Sequence, residues 1–362
     1  MGNQERIEEL RDLISNSKYN KATQHAIGRY KAQLAKLLQE EEQKQKGTGS
    51  TSGYEVKKTG DGTVVLLGFP SAGKSTLLNT LTGAESEIGA YEFTTLSVVP
   101  GVLKHKGAEI QVLDVPGIVE GAASGAGRGR EVLSILRSAD FIVILLDATN
   151  VERYQKILDE VYRVGVRLDE ERPDVKVTKK SKDGISIHST VDLDVPREQL
   201  VEALKGFGIM NADVVIRSKV SLDQFIDVLE GNRHYVDSVT VLNKKDLLGE
   251  DVLGEVEEQV GADLSIGAEN GENVEELKDL VFDGLDFIRI YMKEPREEPD
   301  TDEPLVIERG ATIRDVCKKL HKEFVEKFRY AKVWGESAKF PGQRLGMDHE
   351  LCDEDVLEVS VR

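Results

Sequence analysis

The chain has 362 residues, 39% of them hydrophobic and 31% charged, enough for two or three folded units and too apolar for a collagen-like or wholly disordered protein. Lys and Arg number 48 against 66 Asp and Glu, a formal net charge of −18, which excludes a uniformly basic nucleic-acid sleeve but not local basic patches. The longest strongly apolar run, Phe141-Ile142-Val143-Ile144-Leu145-Leu146, is far short of the ~20 residues that cross a bilayer, and the start carries no apolar signal core, so no membrane partner is expected.

Residues 1–46 read as a helical hairpin. Ile7, Leu10, Leu13 and Ile14 recur at helical spacing, and a second run follows with Ile27, Tyr30, Leu34, Leu37 and Leu38. It lacks a recognition-helix pattern, so packing or partner docking is expected and DNA is not. Residues 47–62 are a linker and leading strand, opening on Gly47-Thr48-Gly49-Ser50-Thr51-Ser52-Gly53. Apolar runs ending at Leu67, Asp114, Asp147 and Asn243 predict buried strands with helices between them, hence a mostly parallel α/β sheet over residues 63–290. The interval from Asp147 to Asn243 is too long for one crossover, so residues 167–226 are expected to form an inserted α+β domain. Residues 291–362 read as a small α+β unit, with Tyr330 and Trp334 in its core. The two cysteines, Cys317 and Cys352, make no disulfide framework and fit a reducing cytoplasm.

Four motifs lie in this frame. Gly68-Phe69-Pro70-Ser71-Ala72-Gly73-Lys74-Ser75, followed by Thr76, sits between a predicted strand and a predicted helix, the setting of a phosphate loop. Its glycines let backbone amides curl around a β-phosphate, Lys74 brings a point charge to the β- and γ-oxygens, and Ser75 can ligate Mg²⁺. Asp114-Val115-Pro116-Gly117 ends the next strand; Asp114 can hold Mg²⁺ through water, and the Gly117 amide can sense a γ-phosphate. Asn243-Lys244-Lys245-Asp246 ends a third strand. The Asp246 carboxylate can accept from guanine N1–H and the exocyclic amine, the Lys244 stem can pack over the ring, and Asn243 can brace the phosphate loop. Phe93-Thr94-Thr95 stands where a threonine can close on Mg²⁺ and the γ-phosphate and release when that phosphate leaves. Spacing does not decide between the two threonines.

The motifs occur in the chain order of the TRAFAC-class GTPases. Beyond them, Tyr54-Glu55-Val56-Lys57-Lys58-Thr59-Gly60-Asp61, Asp114 to Ile118, Gly127-Arg128-Gly129-Arg130, Asn211-Ala212-Asp213-Val214-Val215 and Glu230-Gly231-Asn232-Arg233 resemble the developmentally regulated GTP-binding (Drg) proteins of the Obg superfamily. Gly310-Ala311-Thr312-Ile313-Arg314-Asp315 and Tyr330-Ala331-Lys332-Val333-Trp334-Gly335 resemble that family's TGS domain, a β-grasp unit. The resemblance spans essentially the whole chain. It implies a P-loop GTPase domain with a helical hairpin, an inserted α+β domain and a C-terminal TGS domain, and it selects Thr95 as the Mg²⁺-facing threonine. It also implies GTP and GDP as ligands, work in translation on the ribosome or its RNA, and a stabilising protein partner.

Two departures matter. In the fifth guanine-contacting loop, Gly267 stands where Ser is usual, which is expected to loosen the loop and weaken guanine affinity, unless Ser265 compensates; the Ala268 amide is expected to meet guanine O6. Ile118 stands where Ras-like enzymes carry the Gln that orients the attacking water. An aliphatic side chain cannot do this, so slow turnover is expected, with K⁺ or a partner supplying the missing help. The catalytic set is therefore Lys74, Thr95 and Gly117. Arg128 and Arg130 are more at home in solvent or against a partner than on the phosphates. Two basic runs, Lys176-Val177-Thr178-Lys179-Lys180-Ser181-Lys182 and Lys318, Lys319, Lys322, Lys327 with Arg329, are the expected RNA contacts. The alternatives are an Obg-like ATPase and a non-catalytic, ribosome-associated scaffold that senses GTP.

Overall fold

The computed structural model describes residues 3–16, 24–46, 58–83, 99–115 and 135–361. In chain order, α1 (Asn3–Asn16) and α2 (Gln24–Lys46) precede β1 (Gly62–Leu67), α3 (Lys74–Thr82), β2 (Val99–His105), β3 (Ala108–Asp114), β4 (Phe141–Asp147), α4 (Tyr154–Arg163) and β5 (Val166–Leu168). Then come β6 (Val175–Lys179), β7 (Ile185–Ser189), α5 (Arg197–Gly206), β8 (Ala212–Ile216), α6 (Leu222–Glu230), β9 (His234–Asn243), α7 (Glu250–Val260), β10 (Leu264–Ile266) and α8 (Val274–Gly284). The chain ends in β11 (Phe287–Met292), β12 (Leu305–Glu308), α9 (Ile313–Leu320), α10 (Lys322–Glu326), β13 (Phe328–Trp334), β14 (Gln343–Leu345) and β15 (Asp355–Val361).

The central sheet runs β10-β9-β4-β1-β3-β2, with β5 paired to β9. Its strands are parallel from β10 to β3, and β2 is antiparallel on β3. Alternate residues feed two cores. Val64, Leu66, Val143 and Leu145 pack on one face, with Leu77 of α3 and Leu277 of α8. Val65, Leu67, Ile142 and Ile144 pack on the other, with Ile157 of α4. Burial on both faces is why these strands read as unbroken apolar runs. It also leaves polar chemistry to the strand ends, where Asp114, Asp147 and Asn243 stand.

Residues 1–53 and 170–235 cluster as one compact unit. Its sheet, β6-β8-β7, has an antiparallel and a parallel pair. The unit reaches past 226, since α6 runs to Glu230 and its Leu229 packs against the same core as Phe225 and Ile226. The hairpin packs here through small residues: Ala32 and Ala35 of α2 join that core, and a Cβ on Gly206 of α5 would lie 2.6 Å from the Ala32 Cβ. The apolar stripe singled out in the sequence, Ile27 to Leu38, is only partly buried.

The C-terminal sheet runs β12-β11-β15-β13-β14 and begins at Phe287, ahead of residue 291. Its core joins Ile288, Ile290, Ala331, Val333 and Leu357 to Ile313, Val316 and Cys317 of α9. Here the sequence reading is corrected. Ala331 and Val333 are the fully buried residues of β13, and Tyr330 and Trp334 are only partly buried. Successive side chains of a strand take opposite faces, so Ala331 and Val333 face the core while Tyr330 and Trp334 alternate away from it. Among the described residues, no helix is long and apolar enough to cross a membrane.

Candidate nucleotide-binding site

The loop between β1 and α3 is shaped by its neighbours. Ser71 (φ 76°) and Gly73 (φ 92°) both adopt left-handed backbone. A Cβ on Gly68 would lie 2.4 Å from the carbonyl oxygen of Leu145, and one on Gly73 would lie 2.3 Å from Asn243 Nδ2. Both motif glycines are therefore demanded by strands β4 and β9 as well as by the turn. The Lys74 ammonium donates to the carbonyls of Gly68 (3.0 Å) and Phe69 (3.1 Å). Burial pulls its pKa below the ordinary lysine value, an effect that the nearby Asp114 opposes.

Ser75 Oγ donates to Asp114 Oδ2 at 2.8 Å. Asp114 is 4% exposed, and its Oδ1 is buried with no hydrogen-bond partner. A buried carboxylate oxygen left unsatisfied beside a serine hydroxyl calls for a further partner. The all-oxygen donor set suits a hydrated hard cation such as Mg²⁺, so the residues present fit that ion. Val115 follows, buried. Phe93, Thr94, Thr95, Pro116, Gly117, Ile118, Arg128 and Arg130 lie outside the described residues.

At the end of β9, one side chain joins two loops. Asn243 Nδ2 donates to the Ala72 carbonyl at 2.8 Å, and its Oδ1 accepts the Ala268 amide at 2.9 Å. The brace to the phosphate loop was anticipated. The second bond changes the role expected of Ala268, whose amide is engaged by Asn243 instead of standing free for guanine O6. Asp246 follows in an exposed 3₁₀ turn, Lys245–Leu247.

Lys244 (φ 65°) sends its ammonium to Asp147 Oδ2 at 2.5 Å. Asp147 Oδ1 accepts the Thr149 amide (2.9 Å) and hydroxyl (2.6 Å). Burial pushes the Asp147 pKa up, but the bonds from Lys244 and Thr149 outweigh it and hold the carboxyl below its ordinary value. Asp147 was missed as a site residue. Its signal was available: like Asp114, it ends an apolar strand at the carboxyl edge of a parallel sheet, where ligands of such sheets bind.

The fifth loop closes around Gly267 by backbone pairing and an asparagine side chain. Gly267 and Glu272 exchange backbone hydrogen bonds of 3.0 and 3.1 Å. A Cβ on Gly267 would lie 2.2 Å from Asn270 Oδ1, so the asparagine side chain fills the space a serine would take. Thr80 of α3 donates to the Ala268 carbonyl at 2.8 Å, and Asn273 Nδ2 donates to the Ser265 carbonyl at 2.8 Å. Ser265 itself donates to Glu257 on α7 at 2.6 Å, away from the loop it was expected to brace.

Three family models match: residues 63–180 the 50S ribosome-binding GTPase model, 182–287 the C-terminal region of the MMR_HSR1 domain, and 288–361 the TGS domain. The chain is 51% identical over 367 residues to an uncharacterized GTP-binding protein of Methanocaldococcus jannaschii, covering 100% of this chain and 94% of that protein. It is 40% identical over 363 residues to the developmentally-regulated GTP-binding protein 2 homolog of Dictyostelium discoideum, covering 99% of each. Among solved structures it is similar to a GTP binding protein from Pyrococcus horikoshii, with 16% identity, 83% of this chain and 99% of that chain covered, and a TM-score of 0.42.

Proposed function

Given that the chain belongs to the developmentally regulated GTP-binding protein family, and so is a GTP-binding protein of GTPase type, we propose that it hydrolyses GTP slowly to GDP and phosphate and acts as a switch in translation or on the ribosome, in the cytoplasm. The observation that carries the reading is the double tie of Asn243 to Ala72 and Ala268. It holds the phosphate-gripping Lys74 and the base-reading Asp246 in one framework. When bound, Mg²⁺ would neutralise the β- and γ-oxygens, held by Ser75, by Asp114 through water, and by Thr95.

The chain's own groups do the rest. Lys74 exchanges two carbonyl partners for phosphate oxygens, a stronger, charge-assisted pairing. Burial lowers its pKa from the ordinary lysine value, and an anion such as Asp114 acts in the opposite direction, favouring the charged ammonium. Asp246 selects guanine because adenine would leave its two acceptor positions unmatched. Lys244, anchored by Asp147, can lay its stem along the base. Gly117 offers its amide to the γ-phosphate, and Ile118 cannot orient water, so intrinsic turnover is slow and rises with K⁺ over Na⁺ or with a protein partner.

Calorimetry with GTP and GDP tests the binding; no heat with either removes the reading. Labelled GTP should resist excess ATP, and displacement by ATP would favour the ATPase alternative. Single-turnover hydrolysis in K⁺ and in Na⁺ tests catalysis; equal rates discard the K⁺ effect. No turnover in either, even with ribosomes present, would favour the GTP-sensing scaffold, which the aliphatic Ile118 keeps in play. Co-sedimentation with ribosomes in the presence of a GTP analogue or GDP tests the place of action.

A further inference from the structure

The basic residues picked out in the C-terminal domain are mostly committed to the protein itself. Lys318 pairs with Asp315 (2.9 Å), Lys319 with Asp61 (2.6 Å), and Lys327 with Glu323 (2.8 Å). Three of the five cations expected to meet RNA are thus neutralised. The helical side of the domain is a weak polyanion surface.

The other side of the sheet differs. Tyr330, Lys332 and Trp334 alternate with the core residues Ala331 and Val333, so they face away from α9. Lys332 lies directly across from Arg344 on β14 and from Glu358 on β15. Lys332 and Glu358 form an ion pair of 2.6 Å. Arg344 and Arg329 are both exposed, and neither has a carboxylate within ion-pair distance among the described residues. Both lie against Tyr330 instead, with guanidinium carbons 4.5 and 5.7 Å from the ring centre. Trp334 takes no part. A Cβ on Gly342 would lie 3.2 Å from its Nε1, so the 335–342 loop crosses the indole.

We propose that the face of the C-terminal sheet bearing Tyr330, Arg329 and Arg344 binds single-stranded RNA, stacking an unpaired base on the tyrosine–arginine pair and holding the adjoining phosphates with the two guanidiniums. This rests on the ribosomal reading above and moves its contact from the helix lysines to the sheet. Two exposed arginines that share one tyrosine ring concentrate positive charge on a chain of net charge −18, and charge complementarity points them at a polyanion. A planar ring carrying a guanidinium favours a nucleobase over an acidic peptide, because bases stack on aromatic rings and on arginine planes, whereas a carboxylate needs only the charge.

The test uses the full-length protein, a roughly ten-nucleotide fluorescent oligouridylate and anisotropy at several salt concentrations. Tyr330→Ala and Arg344→Glu should each weaken binding about tenfold or more, and Tyr330→Phe should restore it. Arg344→Glu should also flatten the salt dependence. Lys318→Glu and Lys322→Glu should change affinity less than about threefold. GDP affinity, measured on every variant, should stay at the wild-type value and shows that each is folded. The proposal is overturned if the wild type does not bind the RNA at low salt, if the helix variants lose binding and the sheet variants keep it, or if Tyr330→Phe behaves as Tyr330→Ala. It is equally overturned if an oligoglutamate peptide binds as tightly and responds to the same variants. A wild type that co-sediments with ribosomes but fails here sinks this inference alone. One that binds no guanine nucleotide sinks the GTPase reading and leaves the RNA result standing.

Discussion

The two larger sheets of this protein place their chemistry differently. In the central sheet both faces are buried, and polar groups assigned to the nucleotide stand at strand ends, Asp114 on β3, Asp147 on β4 and Asn243 on β9, or in the first turn of α3. In the C-terminal sheet only one face packs on α9, and the candidate chemistry lies on the other face, in mid-strand. A parallel sheet covered on two sides has only its edges to offer a ligand. A sheet covered on one side can offer a surface.

The contrast can be broken by substitution, beginning with the largest effects. Leu145→Ala removes a fully buried side chain from the middle of the central sheet and should cost about 2–5 kcal/mol in a denaturant titration. If it cost no more than Tyr330→Ala, the two-faced burial would be the wrong account. Asp246→Ala at the end of the same sheet should leave stability nearly unchanged but weaken GDP binding by roughly 100-fold, by loss of two hydrogen bonds to a charged acceptor, as read by calorimetry. Asp147→Asn should weaken GDP binding about tenfold, by releasing the Lys244 ammonium while keeping the side-chain shape. An unchanged affinity would show that Lys244 needs no anchor. Tyr330→Ala, on the open face, should lower stability by less than about 1 kcal/mol.

The smallest effect is a pH dependence. Hydrogen bonds from Lys318 and Thr312 hold the Asp315 carboxyl, at the start of α9, down to about 2 from an ordinary 3.8. Its folded pKa lies below the unfolded value, so its stabilisation is present above about 3.8 and is lost as pH falls toward 2. The carboxylate is substantially exposed, so solvent screens the gain. Asp315→Asn should remove a small part of the acid sensitivity of unfolding in that window, and identical acid titrations for the two proteins would show that the cap contributes nothing.

Much of the nucleotide site was legible in the residues because each part is local: strand, turn and helix follow one another in the phosphate loop, and Asn243-Lys244-Lys245-Asp246 lies within four positions. What was misread depended on which side chains meet once the chain is folded, at short separations as well as long ones. Gly267 was read as a missing serine, but its meaning is set by Asn270 and Glu272, which close the loop around it. Ser265 was read toward the base and turns to Glu257. Ala268 was read as a free donor and is held by Asn243, 25 residues away. In the hairpin, Ile7 and Leu10 of the stripe read on α1 are buried as expected, but on α2 it is Ala32 and Ala35 that join the core, since a close helix crossing needs small side chains.

The amino-acid order by itself determined where along the chain the candidate site residues stand: Lys74 and Ser75 after the first strand, Asp114 at the end of another, and Asp246 just past a third. Each of these motifs is a few residues at short spacing, and short spacing is what a sequence displays. The tertiary structure alone decided which lysines are neutralised, which face of β13 is left open, and which side chain joins the two nucleotide loops. These depend on which groups meet in the folded chain, whether the partner lies three residues away, as for Lys318, or 258, as for Lys319, and a residue pattern alone does not contain them.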